Sequence, residues 1–64
     1  MKNRLKELRT ERNWTQADLA QRVSVSRQTI NAIEKGKFDP SLPLAFSLAK
    51  LFNLKIEETF LDDE

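Results

Sequence analysis

Apolar side chains recur along this chain at helical rather than strand intervals, and those intervals predict five short helices. Over residues 3 to 12, Leu5, Leu8, Arg9 and Arg12 follow the i, i+3, i+4, i+7 spacing of one helical face. Arg9 therefore points where a hydrophobic residue is expected. A guanidinium turned inward needs a carboxylate, because an unpaired charge in a low-dielectric interior is strongly destabilising. Asn13 tolerates the left-handed conformation that ends helices, and Trp14 supplies the largest apolar surface in this half of the chain.

Thr15 is a good N-cap, with Asp18 placing an acid in the following first turn. Leu19, Ala20 and Val23 make the inward stripe of a helix of about two turns. Ser24, Val25 and Ser26 form a turn in which Val25 plugs the corner and Ser26 caps the next helix. At about 100° per residue, Ile30 and Ile33 of that helix share one side while Arg27, Gln28, Asn31 and Lys35 cover the other. Gly36 ends it, and Lys35 and Lys37 suit its negative dipole end.

Phe38, Asp39 and Pro40 connect to a fourth helix capped by Ser41, with Pro43 tolerated in its first turn. Leu42, Ala45, Leu48, Ala49 and Phe52 form its inward stripe, which predicts the central core helix. Leu44, Phe46 and Leu51 fall outside that stripe and are more apolar than a solvent face requires. Asn53 stops this helix, and residues 54 to 61 read as a last short helix anchored by Ile56 and Phe60, with Glu57 and Glu58 in its first turn. Asp62, Asp63 and Glu64 read as a frayed tail.

Composition narrows what such a bundle can do. The chain has 64 residues, enough for one domain, and a domain this small buries only about 60% of the surface its unfolded form exposes. It contains neither cysteine nor histidine, which removes disulfides, thiolate chemistry, ordinary zinc sites and the usual general acid–base residue. The remaining serines and threonines sit at caps with no base to activate them, so an enzyme is not expected and no cofactor or metal is implied. No apolar run approaches membrane-spanning length and Met1 to Arg9 lacks a signal-peptide core, so a cytoplasmic chain starting at Met1 is expected. The formal net charge of +1 conceals an asymmetry: residues 1 to 37 carry nine Lys or Arg against four acids, net +5, and residues 38 to 64 carry two against six, net −4. One end suits a polyanion and the other is repelled by it.

Two helices joined by a three- to four-residue turn, the second presenting an outward polar face, meet the specification of a helix-turn-helix. Thr15, Gln16, Leu19, Ala20, Val23, Val25, Ser26, Thr29, Ile30, Ile33, Glu34 and Gly36 together resemble the signature TQxxLAxxVxVSxxTIxxIExG of the phage-repressor and Cro-like (Xre-type) regulators. PSLxLAxxLAxxF from Pro40 to Phe52 and IEExF from Ile56 to Phe60 extend the resemblance over nearly the whole chain. It implies an all-α fold: a compact five-helix bundle of the lambda-repressor-like kind, acting as a sequence-specific double-stranded DNA-binding regulator.

The resemblance places Arg27, Gln28 and Asn31 at base-reading positions, with Ala32 at the margin. Their chemistry suits the task, since Arg forks onto G O6 and N7 while Gln or Asn can pair with A N6 and N7. Gln16 matches a phosphate-contacting position at a helix N-terminus, and Thr15, Thr29, Lys35 and Lys37 are further phosphate candidates. Each has a plainer reading: a polar face is ordinarily just solvated, the two lysines suit the helix dipole, and Gln16 can merely cap. The resemblance also sets Arg9 against Glu34 as a structural ion pair, which supplies the carboxylate that the periodicity demanded. Ser24 departs from the glycine common in this turn, and a left-handed Ser24 would be strained.

A monomer of this size reads too few base pairs for useful specificity, so a homodimer on a palindromic site is expected. Leu44, Phe46, Leu51, Leu54, Ile56, Phe60 and Leu61 are the candidate seam, although several of them serve equally well as core. The competing function is an antitoxin-like or anti-repressor adaptor whose main partner is another protein.

Overall fold

The computed structural model describes residues 1–61, so the acidic tail from Asp62 lies outside the described residues. Five helices follow in order: α1 Leu5–Glu11, α2 Gln16–Arg22, α3 Arg27–Glu34, α4 Leu42–Leu51 and α5 Ile56–Thr59. Two short strands flank them, β1 Lys2–Asn3 and β2 Phe60–Leu61, paired antiparallel with Lys2 opposite Leu61 and Asn3 opposite Phe60.

Local chemistry sets the starts of α2, α3 and α4 where expected. The hydroxyls of Thr15, Ser26 and Ser41 accept hydrogen bonds from the backbone N–H of Asp18, Thr29 and Leu44, satisfying donors that the first turn leaves open. Asp18 closes a capping box, its carboxylate accepting from Thr15 N–H at 2.9 Å. Asn13, Ser24 and Asn53 take φ of 59°, 60° and 57° after α1, α2 and α4, and Gly36 takes 75° after α3. Ser24 is thus held in the left-handed region where glycine would be unstrained.

The core draws on every helix and on β2. Leu5, Leu8, Leu19, Ala20, Ile30, Ile33, Ala45, Leu48, Ala49, Phe52 and Phe60 are buried, with Val23, Val25, Leu44, Leu51, Leu54 and Ile56 packed partly against them. Trp14 lies against Phe52, ring centroids 5.7 Å apart. No buried side-chain nitrogen or oxygen among the described residues lacks a hydrogen-bond partner.

The sequence pattern misled at three places. Residues 54 to 61 do not form one helix: α5 is a single turn, and the chain extends at Phe60 to pair with β1. That pairing joins the two ends of the described chain, and no local periodicity reports it. Residue 3 likewise lies in β1 rather than at the start of α1, and the Asn3 carboxamide bridges two backbone segments there. Its Nδ2 donates to Ile33 O at 2.8 Å and its Oδ1 accepts from Leu5 N at 3.1 Å, tying the N-terminus to the end of α3. Leu42, expected inside, is 64% exposed at the rim of an open groove beside Ala45, Ile56, Phe60 and Leu61.

Candidate nucleic-acid interface

Helix α3 is anchored by one face and free on the other. Ile30 and Ile33 are at most 1% exposed, which fixes the rotation of the helix about its axis. Arg27 and Gln28 consequently project into solvent from its first turn. Lys35 and Lys37 are exposed beyond its C-terminal end. Arg27, Lys35 and Lys37 therefore form an accessible basic fringe along α3.

The neighbouring candidates are more committed to the fold than the sequence suggests. Thr15 spends its hydroxyl and its N–H on the α2 capping box. Thr29 is half-buried, with its hydroxyl 2.9 Å from that of Ser26. Gln16 uses one Nε2 for two bonds, to Glu34 Oε1 at 3.0 Å and to Asn31 Oδ1 at 3.2 Å. Asn31 is accordingly half-buried, turned toward the N-terminus of α2 rather than standing free beside Gln28.

Behind this surface lies the ion pair. Arg9 Nε meets Glu34 Oε2 at 2.7 Å and Arg9 Nη2 meets Glu34 Oε1 at 3.1 Å, while Arg9 Nη1 donates to Trp14 O at 3.2 Å. Arg9, Glu34, Gln16 and Asn31 therefore form one connected polar network across α1, α2 and α3. Sequence reasoning paired the first two but missed the second link, because side chains 15 and 18 positions apart in sequence share no local period.

A second cationic feature also escaped the sequence. Arg22 lies over the Trp14 ring at 4.1 Å, and Arg12 lies over Phe52 at 4.8 Å and Trp14 at 5.7 Å. Arg12 thus follows the inward spacing only in part, stacking on aromatic faces as an exposed residue. Of the seam candidates, Phe60 is 7% exposed and belongs to the core, and Leu44, Leu51, Leu54 and Ile56 rest half-buried against it. Phe46 at 48% and Leu61 at 39% stay exposed, joined by Leu42.

An anchored helix with a free polar face, set behind a short turn, is the arrangement described by the helix-turn-helix family model, which matches residues 5–58. The chain belongs to the helix-turn-helix family. Within it the chain is of the Xre or Cro–C1 type, a class of transcriptional regulators and not of enzymes. The chain is 62% identical to an uncharacterized HTH-type transcriptional regulator of Methanocaldococcus jannaschii, covering all of both chains. It is 34% identical to the cryptic phage CTXphi transcriptional repressor RstR of Vibrio cholerae, over 97% of this chain and 56% of that one. Among solved structures it is similar to the restriction–modification controller protein C.AhdI of Aeromonas hydrophila, at 32% identity and a TM-score of 0.77, covering 89% of this chain and 83% of that one. No helix among the described residues of this helix-turn-helix chain is long and apolar enough to cross a membrane.

Proposed function

We propose that this chain is a sequence-specific double-stranded DNA-binding regulator, a repressor that occupies a palindromic operator as a homodimer with α3 in the major groove. The observation that carries this reading is the contrast within α3. Ile30 and Ile33 lock one face while Arg27 and Gln28, both suited to base edges, stand free on the other. Asn31 reads bases beside them. Lys35 and Lys37, with the N-terminus of α2 at Thr15 and Gln16, supply the phosphate contacts that set register and salt dependence. Thr29 contributes only through the Ser26 cap it completes. The transcriptional repressor among the relatives supports occupation of a promoter as the mode of action.

The dimer seam in this proposal is narrower than the sequence pattern allows. Leu42, Phe46 and Leu61 are the seam-forming choice among the large apolar side chains still exposed in the C-terminal half, where Phe38 is exposed as well. An open groove of about 660 Å³, bordered by Leu42, Ile56, Phe60 and Leu61, gives a partner copy something to fill.

Selection of bound sequences from a random duplex pool tests the proposal. A two-fold symmetric motif is expected, with Arg27→Ala relaxing preference at one position of each half-site more than it lowers affinity overall. Equal loss on all sequences makes Arg27 a phosphate contact. Absence of any enriched motif at moderate salt leaves only nonspecific phosphate binding and defeats the reading.

A further inference from the structure

Strand β1 is fastened to the end of α3. Asn3 Nδ2 donates to Ile33 O at 2.8 Å, 30 positions away in sequence, and the Met1 backbone runs so close to Gly36 that a Cβ added there would lie 3.5 Å from Met1 O. Lys2 stands between these two anchors, opposite Leu61 of β2, and is exposed. With Glu34, Lys35 and Gly36 it borders one open hollow of about 430 Å³. The charge gathered there is positive and uncompensated. Glu34 offers no free carboxylate, because Arg9 holds both of its oxygens and Gln16 donates to one of them. Asp39 faces the Met1 amine at 3.3 Å. Among the described residues, neither Lys2 nor Lys35 has a carboxylate within 4.0 Å.

We infer that β1 is part of the DNA interface, with Lys2 beside Lys35 gripping the sugar–phosphate backbone where α3 leaves the major groove. This rests on the proposed reading that α3 lies in that groove and that Lys35 meets phosphate. An ammonium on a flexible stem acts on phosphate as a point charge, so it needs nearness rather than a fixed angle. Lys2 meets that need because the hollow it shares with Lys35 opens to solvent. Asn3 acts here as a positioning residue. Its bonds to Ile33 O and from Leu5 N hold β1 against α3, so Lys2 is presented without the ordering entropy that a free N-terminal arm would lose on binding. The contact carries no sequence information. It adds to affinity and to salt dependence instead.

The test measures affinity for a fluorescein-labelled duplex of random sequence at several salt concentrations, since a backbone contact needs no operator. Lys2→Gln is expected to lower the slope of log affinity against log salt by about 0.9 for each bound protomer, with Lys2→Arg restoring it. Lys50→Gln makes the same charge change in the last turn of α4 and should alter the slope by less than about a third of that amount. Asn3→Ala is expected to lose as much as Lys2→Gln, and the double variant no more than either. Should Asn3→Ala fail to fold, Lys2→Gln decides alone. A change in Lys2→Gln no larger than in Lys50→Gln overturns the inference and leaves Lys2 as a charge that offsets the negative dipole end of α3, seen as a lowered melting temperature. Further loss on adding Lys2→Gln to Asn3→Ala overturns the positioning by Asn3. Absence of any motif enriched by selection, or a motif indifferent to Arg27→Ala, would instead defeat the reading of α3 on which the inference rests.

Discussion

Arg9 closes on both oxygens of the Glu34 carboxylate, at 2.7 and 3.1 Å, and joins α1 to the last turn of α3 through a pair that is almost wholly buried. The two side chains are 12% and 4% exposed, so neither charge is well solvated once the other is removed. Arg9→Ala or Glu34→Ala alone is expected to destabilise by about 3–5 kcal/mol. Removing both should cost less than the sum of the two, because no orphaned charge is left. Urea unfolding of the two single variants and the double variant measures the coupling, and strict additivity would mean that the bidentate contact contributes nothing specific.

Ser24 occupies the turn between α2 and α3 at φ of 60°. A side chain there costs about 1–2 kcal/mol relative to glycine, offset in part by the extra entropy glycine loses on folding. Ser24→Gly is expected to gain about 1 kcal/mol, which for a domain this small raises the melting temperature by about 4–8 °C. Calorimetry checks it directly. A lowered melting temperature would mean that the serine hydroxyl contributes more than the strain removes.

Asp18 predicts a response to acid. The Thr15 N–H bonded to its carboxylate holds its pKa below the ordinary value. A group whose pKa is depressed on folding contributes stability that is fully present above its unfolded pKa and lost as pH falls through the folded one. The α2 cap should therefore loosen in the acid range below the usual carboxylate value. Asp18→Asn should flatten that part of the stability–pH curve, measured by denaturant midpoints from neutral pH downward. An unaltered acid limb in Asp18→Asn would assign the acid loss to other carboxylates.

Phe60 keeps the anchoring role that its spacing suggests while Leu42 does not keep the inward one, and the two should separate cleanly by substitution. Phe60 is core, so Phe60→Ala is expected to cost about 3–5 kcal/mol whatever the protein concentration. Leu42 lies open at the groove rim, so Leu42→Ala should change monomer stability by no more than about 0.5 kcal/mol. Sedimentation of Leu42→Glu should show weaker self-association at unchanged helix content. Unaltered association would move the dimer seam away from the groove.

How much was legible beforehand depended on how far each feature reaches along the chain. Thr15, Ser26 and Ser41 act on atoms three residues away, and Asn13 and Asn53 answer to the turn they sit in, so short-range pattern found these five, while the left-handed Ser24 was suggested by the glycine common in the family's turn. The rotation of α3 was legible too, since the 3.6-residue period puts Ile30 and Ile33 together. The exposure of Leu42 was not, because helical spacing says which residues share a side but not how far a neighbouring element extends to cover them. Phe60 is covered because the chain extends and pairs with β1, while Leu42 precedes the part of α4 that is covered.

Sequence by itself determined the family, the presence of five helices, the caps at Thr15, Ser26 and Ser41, and the face that Arg27 and Gln28 present, because each follows from side chains within about one or two turns of each other or from a dozen motif positions at set spacing. Tertiary structure alone decided the pairing of Lys2–Asn3 with Phe60–Leu61, the stacking of Arg12 and Arg22 on aromatic rings, and the link from Glu34 through Gln16 to Asn31. The physical reason is that hydrogen-bond polarity and aromatic stacking depend on angles and distances between elements. These are established only when the core of Leu5, Leu19, Ile30, Ile33 and Leu48 has closed and brought those elements together.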